Sequence, residues 1–260
     1  MEFTHRTALV TGASSGIGAA MATALAARGA NVVLVARRAD RLTDLAQRLE
    51  AHYGVTAYPI SRDLVKDGAA AELASEVAGL GLTIDILVNN AGFATRSSFV
   101  AEDPARISDE IALNVTALVE LTHAFLPGMV ERRFGAVINV ASTAAFQPLP
   151  IMAVYGATKA FVLSFTEALW GELEGSGVKA LTLCPGATDT EFFDVGPGSD
   201  SAIGDRQSAD EVVAVCLKAL DKASSPPTVI SGFRNAALAK APRFLSRKST
   251  IRASRRVMAG

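Results

Sequence analysis

Thr7-Ala8-Leu9-Val10-Thr11-Gly12-Ala13-Ser14-Ser15-Gly16-Ile17-Gly18 passes from a short apolar run into a glycine-rich turn. An alanine-rich helical pattern follows to Arg28 and stops at Gly29, a residue type that ends helices readily. Asn31-Val32-Val33-Leu34-Val35-Ala36 then reads as a continuous β-branched strand, as expected where both faces are buried. Strand, turn, helix and strand make the unit of a parallel sheet, because parallel neighbours need a crossover and a helix supplies it. The unit recurs downstream. Helices are predicted over Arg38 to His52, Gly68 to Ala78 and Pro104 to Glu131, and strands over Val55 to Ile60, Ile84 to Val88 and Gly135 to Val140. An apolar helical run, Phe161 to Leu173, precedes a strand from Val178 to Cys184, then a helix Ala209 to Ala223 and a last strand, Thr228 to Ile230. Right-handed crossovers make this one Rossmann-like doubly wound α/β sheet of about seven strands, with helices on both faces. The sheet domain is expected over residues 1–233, with a basic tail, able to form a helix, over 234–260.

Half of the 260 residues are hydrophobic, a fifth are charged, and the formal net charge is −1. That balance gives no electrostatic reason to expect nucleic acid. The charge is unevenly placed: Arg234 to Gly260 holds eight basic residues and no acidic one. Cys184 and Cys216, both in apolar contexts, suit a reducing compartment. No uncharged apolar run approaches ~18 residues, and a strand starts too early for a signal peptide, so a cytoplasmic protein is expected. His5, His52 and His123 share no metal-ligand spacing, and no metal is expected.

A glycine-rich turn opening a helix offers backbone N–H groups to a phosphate, and glycine permits its close approach. At the end of the second strand, an NAD site usually places an acid that holds the ribose 2′-hydroxyl. Here Ala36-Arg37-Arg38 stands there instead. Guanidinium groups bind a 2′-phosphate that a carboxylate would repel. NADP(H) is therefore the expected cofactor, with Arg37 the main contact and Arg38 in support. The alternative is that both arginines simply begin a solvated helix, since Asp40 and Arg41 follow.

Tyr155-Gly156-Ala157-Thr158-Lys159 puts a phenol and an amine on one helix face, four residues apart. A phenol titrates near ~10, and a held cation lowers that value toward the working range. The pair can thus serve as proton donor and acceptor at a carbonyl or alcohol. The alternative is a surface tyrosine beside a solvated lysine. Ser142 has no His/Asp partner for a hydrolase triad.

Thr11-Gly12-x-x-x-Gly16-x-Gly18, Asn89-Asn90-Ala91-Gly92, Ser142, Tyr155-x-x-x-Lys159 and Pro185-Gly186 occur in an order that resembles the short-chain dehydrogenase/reductase family. Among its members the chain looks most like the NADP-preferring reductases of ketones and 3-oxoacyl groups. The resemblance spans about residues 5–231. It implies a glycine loop formed by Gly12, Ser14, Ser15, Gly16, Ile17 and Gly18, with Asp63 and Leu64 bordering the adenine. Asn90, Ala91 and Gly92 would line the ribose side, and Pro185, Gly186, Thr188 and Thr190 would cradle the carboxamide. It implies four catalytic positions. Asn114 would distort its helix and hold a water that links to the lysine, and Ser142 would hydrogen-bond the substrate oxygen. Tyr155 would transfer the proton, while Lys159 lowers the tyrosine pKa and grips the nicotinamide ribose. It also implies a homodimer or homotetramer, paired through the helices around Asn114 and after Tyr155.

Phe93, Ala94, Phe146, Leu149, Met152, Phe192 and Phe193 gather around these motifs. They read as an apolar pocket for a hydrophobic ketone or acyl chain, with Phe192 and Phe193 on a lid; the alternative is ordinary core packing. The function expected is hydride exchange between NADP(H) and a ketone or secondary alcohol. A catalytically idle NADP-binding regulator is a second reading. A third is a peripheral membrane or carrier-docking protein working through its basic tail, which could otherwise be a solvated extension.

Overall fold

A computed structural model of the chain describes residues 2–192 and 206–259. Its strands are β1 (Thr7–Thr11), β2 (Asn31–Ala36), β3 (Ala57–Ser61), β4 (Ile86–Asn89), β5 (Gly135–Val140), β6 (Val178–Cys184) and β7 (Thr228–Ile230). They form one sheet in the order β3-β2-β1-β4-β5-β6-β7, with every neighbouring pair parallel. The α-helices are α1 (Gly16–Ala26), α2 (Ala39–Tyr53), α3 (Ala69–Gly79), α4 (Pro104–Ile111), α5 (Ala117–Glu131), α6 (Ala153–Glu172), α7 (Ala209–Leu220), α8 (Phe233–Lys240) and α9 (Arg247–Ala259).

Why the strands read as unbroken apolar runs is visible in β1 and β2. Ala8, Val10, Val32 and Leu34 join the core under α1, α2 and α7. Their neighbours Leu9, Val33 and Val35 join the core under α3, α5 and α6. Alternate side chains therefore meet opposite helix layers, and both layers are dry. The order in which strands are added reverses between β1, which leads outward to β2 and β3, and β4, which leads the other way. A crevice opens at such a switch point beyond the C-terminal strand ends.

The helix expected from Pro104 to Glu131 is not regular. α4 gives way to a π-helical turn, Ala112–Thr116, before α5 begins. A π turn carries an extra residue and commonly sits at a functional site. Here it buries Asn114. By length and composition this stretch could cross a bilayer, yet α5 packs on α3 and β5, and Glu110 and Asn114 are buried.

The basic tail is not a solvated extension. After α8 and a 3-10 turn, Ala241–Phe244, α9 buries Thr250, Ser254 and Met258, a stripe at four-residue spacing, against the body. Arg247, Lys248, Arg252, Arg255 and Arg256 face outward.

Candidate active site

Beyond the strand ends lies a groove of about 460 Å³. Its phosphate end is the β1–α1 turn. Gly12 and Gly16 take φ of 66° and 54°, the left-handed region that side chains resist. A Cβ on Gly18 would lie 2.2 Å from the Gly12 carbonyl oxygen, so only glycine allows the turn to fold this tightly. Asn90 braces it from β4: its Nδ2 donates to the Thr11 carbonyl at 2.9 Å, while Thr11 Oγ1 accepts from the Asn90 and Ala91 amides at 2.9 and 3.0 Å. Ser14, Ser15 and Ile17 line the groove, as do Ala91, Asp63 and Leu64.

The two arginines play different parts. Arg37 is exposed at the groove's edge. Arg38 is the anchored one, donating to Ser14 Oγ from Nε at 3.2 Å and to Ser15 Oγ from Nη2 at 2.9 Å. The first helical turn thus fixes a guanidinium beside the phosphate loop.

At the other end Ser142, Tyr155 and Lys159 converge. Ser142 caps the 3-10 turn Thr143–Phe146, its Oγ accepting from the Ala144 amide at 3.0 Å. That leaves its own proton to donate into the groove. Tyr155 and Lys159, 8% and 5% exposed, share the inner face of α6, and the ammonium sits 5.8 Å from the phenol ring centre. Lys159 Nζ donates to the Val140 carbonyl at 2.8 Å, at the end of β5. Asn114 accepts from the Phe93 amide at 3.1 Å and donates to the Phe93 carbonyl and to Thr158 Oγ1 at 2.9 and 3.1 Å. It pins the strand-end loop to α6 one residue from Lys159. Pro185, Gly186, Thr188 and Thr190, after β6, complete the wall.

Burial governs both ionisable groups. It pushes Tyr155 up to about 12, although a hydrogen bond with Ser142 pulls the other way. It pushes Lys159 down to about 8. In the protein alone, then, the phenol is not shifted toward the working range by its neighbour. The charged form of each lacks water, and desolvation is the largest cause of both shifts. Cys184 and Cys216 are buried thiols pushed up to about 12, hence unreactive. Among the described residues no group of His, Cys, Asp or Glu could hold a metal.

The apolar end is built from Phe93, Ala94, Leu149, Met152 and Phe192, and the Phe192 ring lies 5.8 Å from that of Tyr155. Phe146 is a correction. At the end of the 3-10 turn its ring points away, to a separate cavity shared with Pro148, Ala239 and Thr250. Phe193 lies outside the described residues. His123 is exposed on α5.

Three contributors, Met258, Arg96 and Asn139, escaped the sequence reading, and Asn89 entered it only as part of the strand-end motif. Met258 of α9 packs with Tyr155, Leu149 and Ala144 and lines the groove. Arg96 also lines it and donates to the Met258 carbonyl at 3.2 Å. Behind the site, Asn89 donates to Asn139 Oδ1 and Thr122 Oγ1 at 2.9 and 3.0 Å, and Asn139 donates to Thr166 at 2.9 Å. Asparagine inside an apolar strand was the available signal for that last pair.

A doubly wound parallel sheet, a glycine-lined phosphate turn and a serine, tyrosine and lysine at one mouth define a nucleotide-dependent dehydrogenase or reductase. The family model for short chain dehydrogenases matches residues 6–195, and the chain belongs to the short-chain dehydrogenase/reductase family. A short chain dehydrogenase of Pseudocercospora fijiensis is 43% identical over 190 residues, which are 72% of this chain and 61% of that one. A short-chain dehydrogenase from Sphingobium yanoikuyae, solved with NADPH, is 36% identical with a TM-score of 0.82, covering 92% of this chain and 94% of the other. A bulky-bulky ketone specific alcohol dehydrogenase from Comamonas testosteroni is 32% identical with a TM-score of 0.78, covering 92% of each.

Proposed function

We propose that this chain is an NADP(H)-dependent reductase of hydrophobic ketones or acyl-type carbonyls, able to oxidise the matching secondary alcohols. The observation that carries the reading is the meeting of Ser142, Tyr155 and Lys159 at the apolar end of a groove whose far end holds an anchored arginine.

The residues present fit the dinucleotide. The Gly12–Gly18 turn packs so closely on Asn90, Thr190 and its own backbone that it admits no Cβ, which leaves bare backbone to face a pyrophosphate, and Arg38 offers a positive charge in place of the acid of NAD sites. Gly12, Ser14, Ser15, Ile17 and Arg38 would hold its adenosine side, and Lys159, Asn90, Gly186 and Thr188 its nicotinamide side. When bound, the cofactor supplies or accepts the hydride. The chain supplies everything else. Ser142 donates a hydrogen bond to the substrate oxygen and holds it near the Tyr155 hydroxyl. A phenol kept protonated by burial is ready to give that oxygen its proton, the transfer that carbonyl reduction needs. Lys159 offsets the phenolate left behind, and Asn114 keeps the lysine's helix in register with the Phe93 loop. Leu149, Met152, Phe192 and Met258 exclude water and favour an apolar substituent. Relatives solved with NADPH or named for bulky ketones support cofactor and substrate class alike.

The test is Tyr155→Phe. NADPH oxidation with a panel of aryl and long-chain ketones should fall by about 10²–10⁴-fold while NADPH still binds within a few-fold of wild type. Equal turnover in the variant would remove the phenol from the chemistry.

A second reading keeps the membrane contact, because α8, α9 and the turn between them leave Phe233 and Phe244 91% and 87% exposed among outward basic residues. Co-sedimentation with phosphatidylserine vesicles tests it, and equal partitioning of wild type and a Phe233→Ser/Phe244→Ser variant removes it.

A further inference from the structure

The arginine end of the groove already holds an anion, and the chain supplies it. Glu191, on the segment after β6, reaches across to α2. Its Oε2 accepts from Arg38 Nη1 at 2.8 Å and its Oε1 from Arg41 Nη1 at 2.5 Å. The rest of the Arg38 guanidinium is committed to Ser14 and Ser15. A carboxylate gripped by two guanidiniums beside two serine hydroxyls is the bonding pattern a phosphate monoester would make with the same groups. The two arginines hold the Glu191 carboxyl down to about 2, so it is charged throughout the neutral range.

The backbone on either side of Glu191 is fixed independently. Thr190 rests on the phosphate turn, its Cγ2 only 2.9 Å from where a Cβ on Gly16 would stand. Phe192 packs on the Tyr155 ring. The carboxylate can therefore leave the arginines by side-chain rotation while its neighbours stay in place. Both ion pairs are about two-fifths exposed, with side-chain exposures of 40% and 42% for Arg38 and Glu191, and 43% for Arg41. Such pairs are screened by water and are individually weak, so displacement is feasible.

We propose that Glu191 is an internal competitor for the 2′-phosphate subsite, and so the residue that sets how strongly the chain discriminates between phosphorylated and unphosphorylated dinucleotides. This rests on the reading of the groove as an NADP(H) site. A cofactor with a 2′-phosphate must displace the carboxylate or bind beside it against repulsion. One with a free 2′-hydroxyl leaves both ion pairs standing. The present residue thus narrows a preference that Arg38 and Arg41 would otherwise make wider.

The experiment is direct binding, by calorimetry, of NADPH, NADH and 2′,5′-ADP to the full chain and to its Glu191→Gln and Glu191→Ala variants. Both variants should bind NADPH and 2′,5′-ADP about three- to tenfold more tightly than wild type, with NADH within twofold. The gain should shrink at high salt, where the pairs are screened in wild type already. Unchanged or weaker NADPH binding in both variants overturns the proposal, and so does equal weakening of NADPH and NADH, which would make Glu191 a clasp for its loop. Arg38→Ala separates this from the cofactor reading. If it abolishes an NADPH preference that the Glu191 variants fail to widen, the competitor is wrong and the reading stands. If wild type shows no preference and Arg38→Ala changes nothing, both fall.

Discussion

Burying an amine that no carboxylate among the described residues pairs with has a cost that the fold must carry, and Lys159 is the place where it is carried. In the unfolded chain its ammonium titrates at 10.5, in the groove at about 8. Below pH 8 both states hold the proton, and the native state bears the full desolvation. Between about 8 and 10.5 the unfolded chain binds a proton that the native one does not, so this contribution to stability rises with pH. Tyr155 acts oppositely and later: its value goes from 10 to about 12, and stability falls across that window. Lys159→Met should therefore lose turnover yet gain on the order of 1–2 kcal/mol at pH 7, after allowing for the Val140 carbonyl left without its donor. The gain should narrow by pH 9.5. Urea unfolding at both pH values reads it, and a variant no more stable at pH 7 would mean the amine is better solvated than its surroundings indicate. The Tyr155–Lys159 spacing was legible in the sequence, since four residues on a helix fix a shared face. Their charge states were not, because they depend on what encloses them: Ala144 and Leu149 come from the segment after β5, and Met258 from α9, a hundred residues on.

Elements divide the same way. β2, β5, β6 and β7 were readable because each is a mainly apolar or β-branched run set off by its neighbours, with Asn139, Lys179 and Thr182 the polar interruptions in β5 and β6. The end of β5 was readable too, since Ser142 follows it. The π turn was expected only as a distortion at Asn114, through the family resemblance; its form over Ala112–Thr116 was not readable, because its extra residue answers to Phe93 and Thr158. Nor was the docking of α9. Its outward face is strongly basic, and the inward stripe of Thr250, Ser254 and Met258 contains one apolar residue in three. Hydrophobic periodicity cannot find so thin a contact. That contact gives a prediction at this scale. Met258 closes the apolar end against Tyr155, so Met258→Ala should enlarge it. The ratio of kcat/KM for a bulky ketone over a small one should rise about tenfold. The melting temperature should fall only slightly, because α9 lies outside the sheet core. A ratio that stays put would make α9 a strut rather than a wall.

The whole molecule leaves apolar surface that one copy does not use. On the layer formed by α4, α5 and α6, Ile111, Val130 and Phe161 are 43%, 38% and 42% exposed, and Phe161 stacks on Phe165 at 5.8 Å between ring centres. The inner faces of these helices already meet the sheet through Leu118, Leu121, Val162 and Leu169, so the outer residues add nothing to the fold of a single chain. Exposed aromatic and branched side chains on helices that also carry Asn114, Tyr155 and Lys159 are what a second copy would cover. Covering them would also stiffen the helices that hold the site. Light scattering after gel filtration at micromolar concentration is therefore expected to give a dimer or tetramer. Phe161→Glu should place two carboxylates across a two-fold contact and remove an aromatic anchor, a loss of about 2–4 kcal/mol that shifts the elution to the monomer. Because Phe161 lies on the outer side of α6, NADPH binding should survive in that monomer, while turnover drops to the extent that the helix pair needs its partner for rigidity. A wild type that runs as a monomer at the same concentration would leave this face without an occupant and the site complete in one chain.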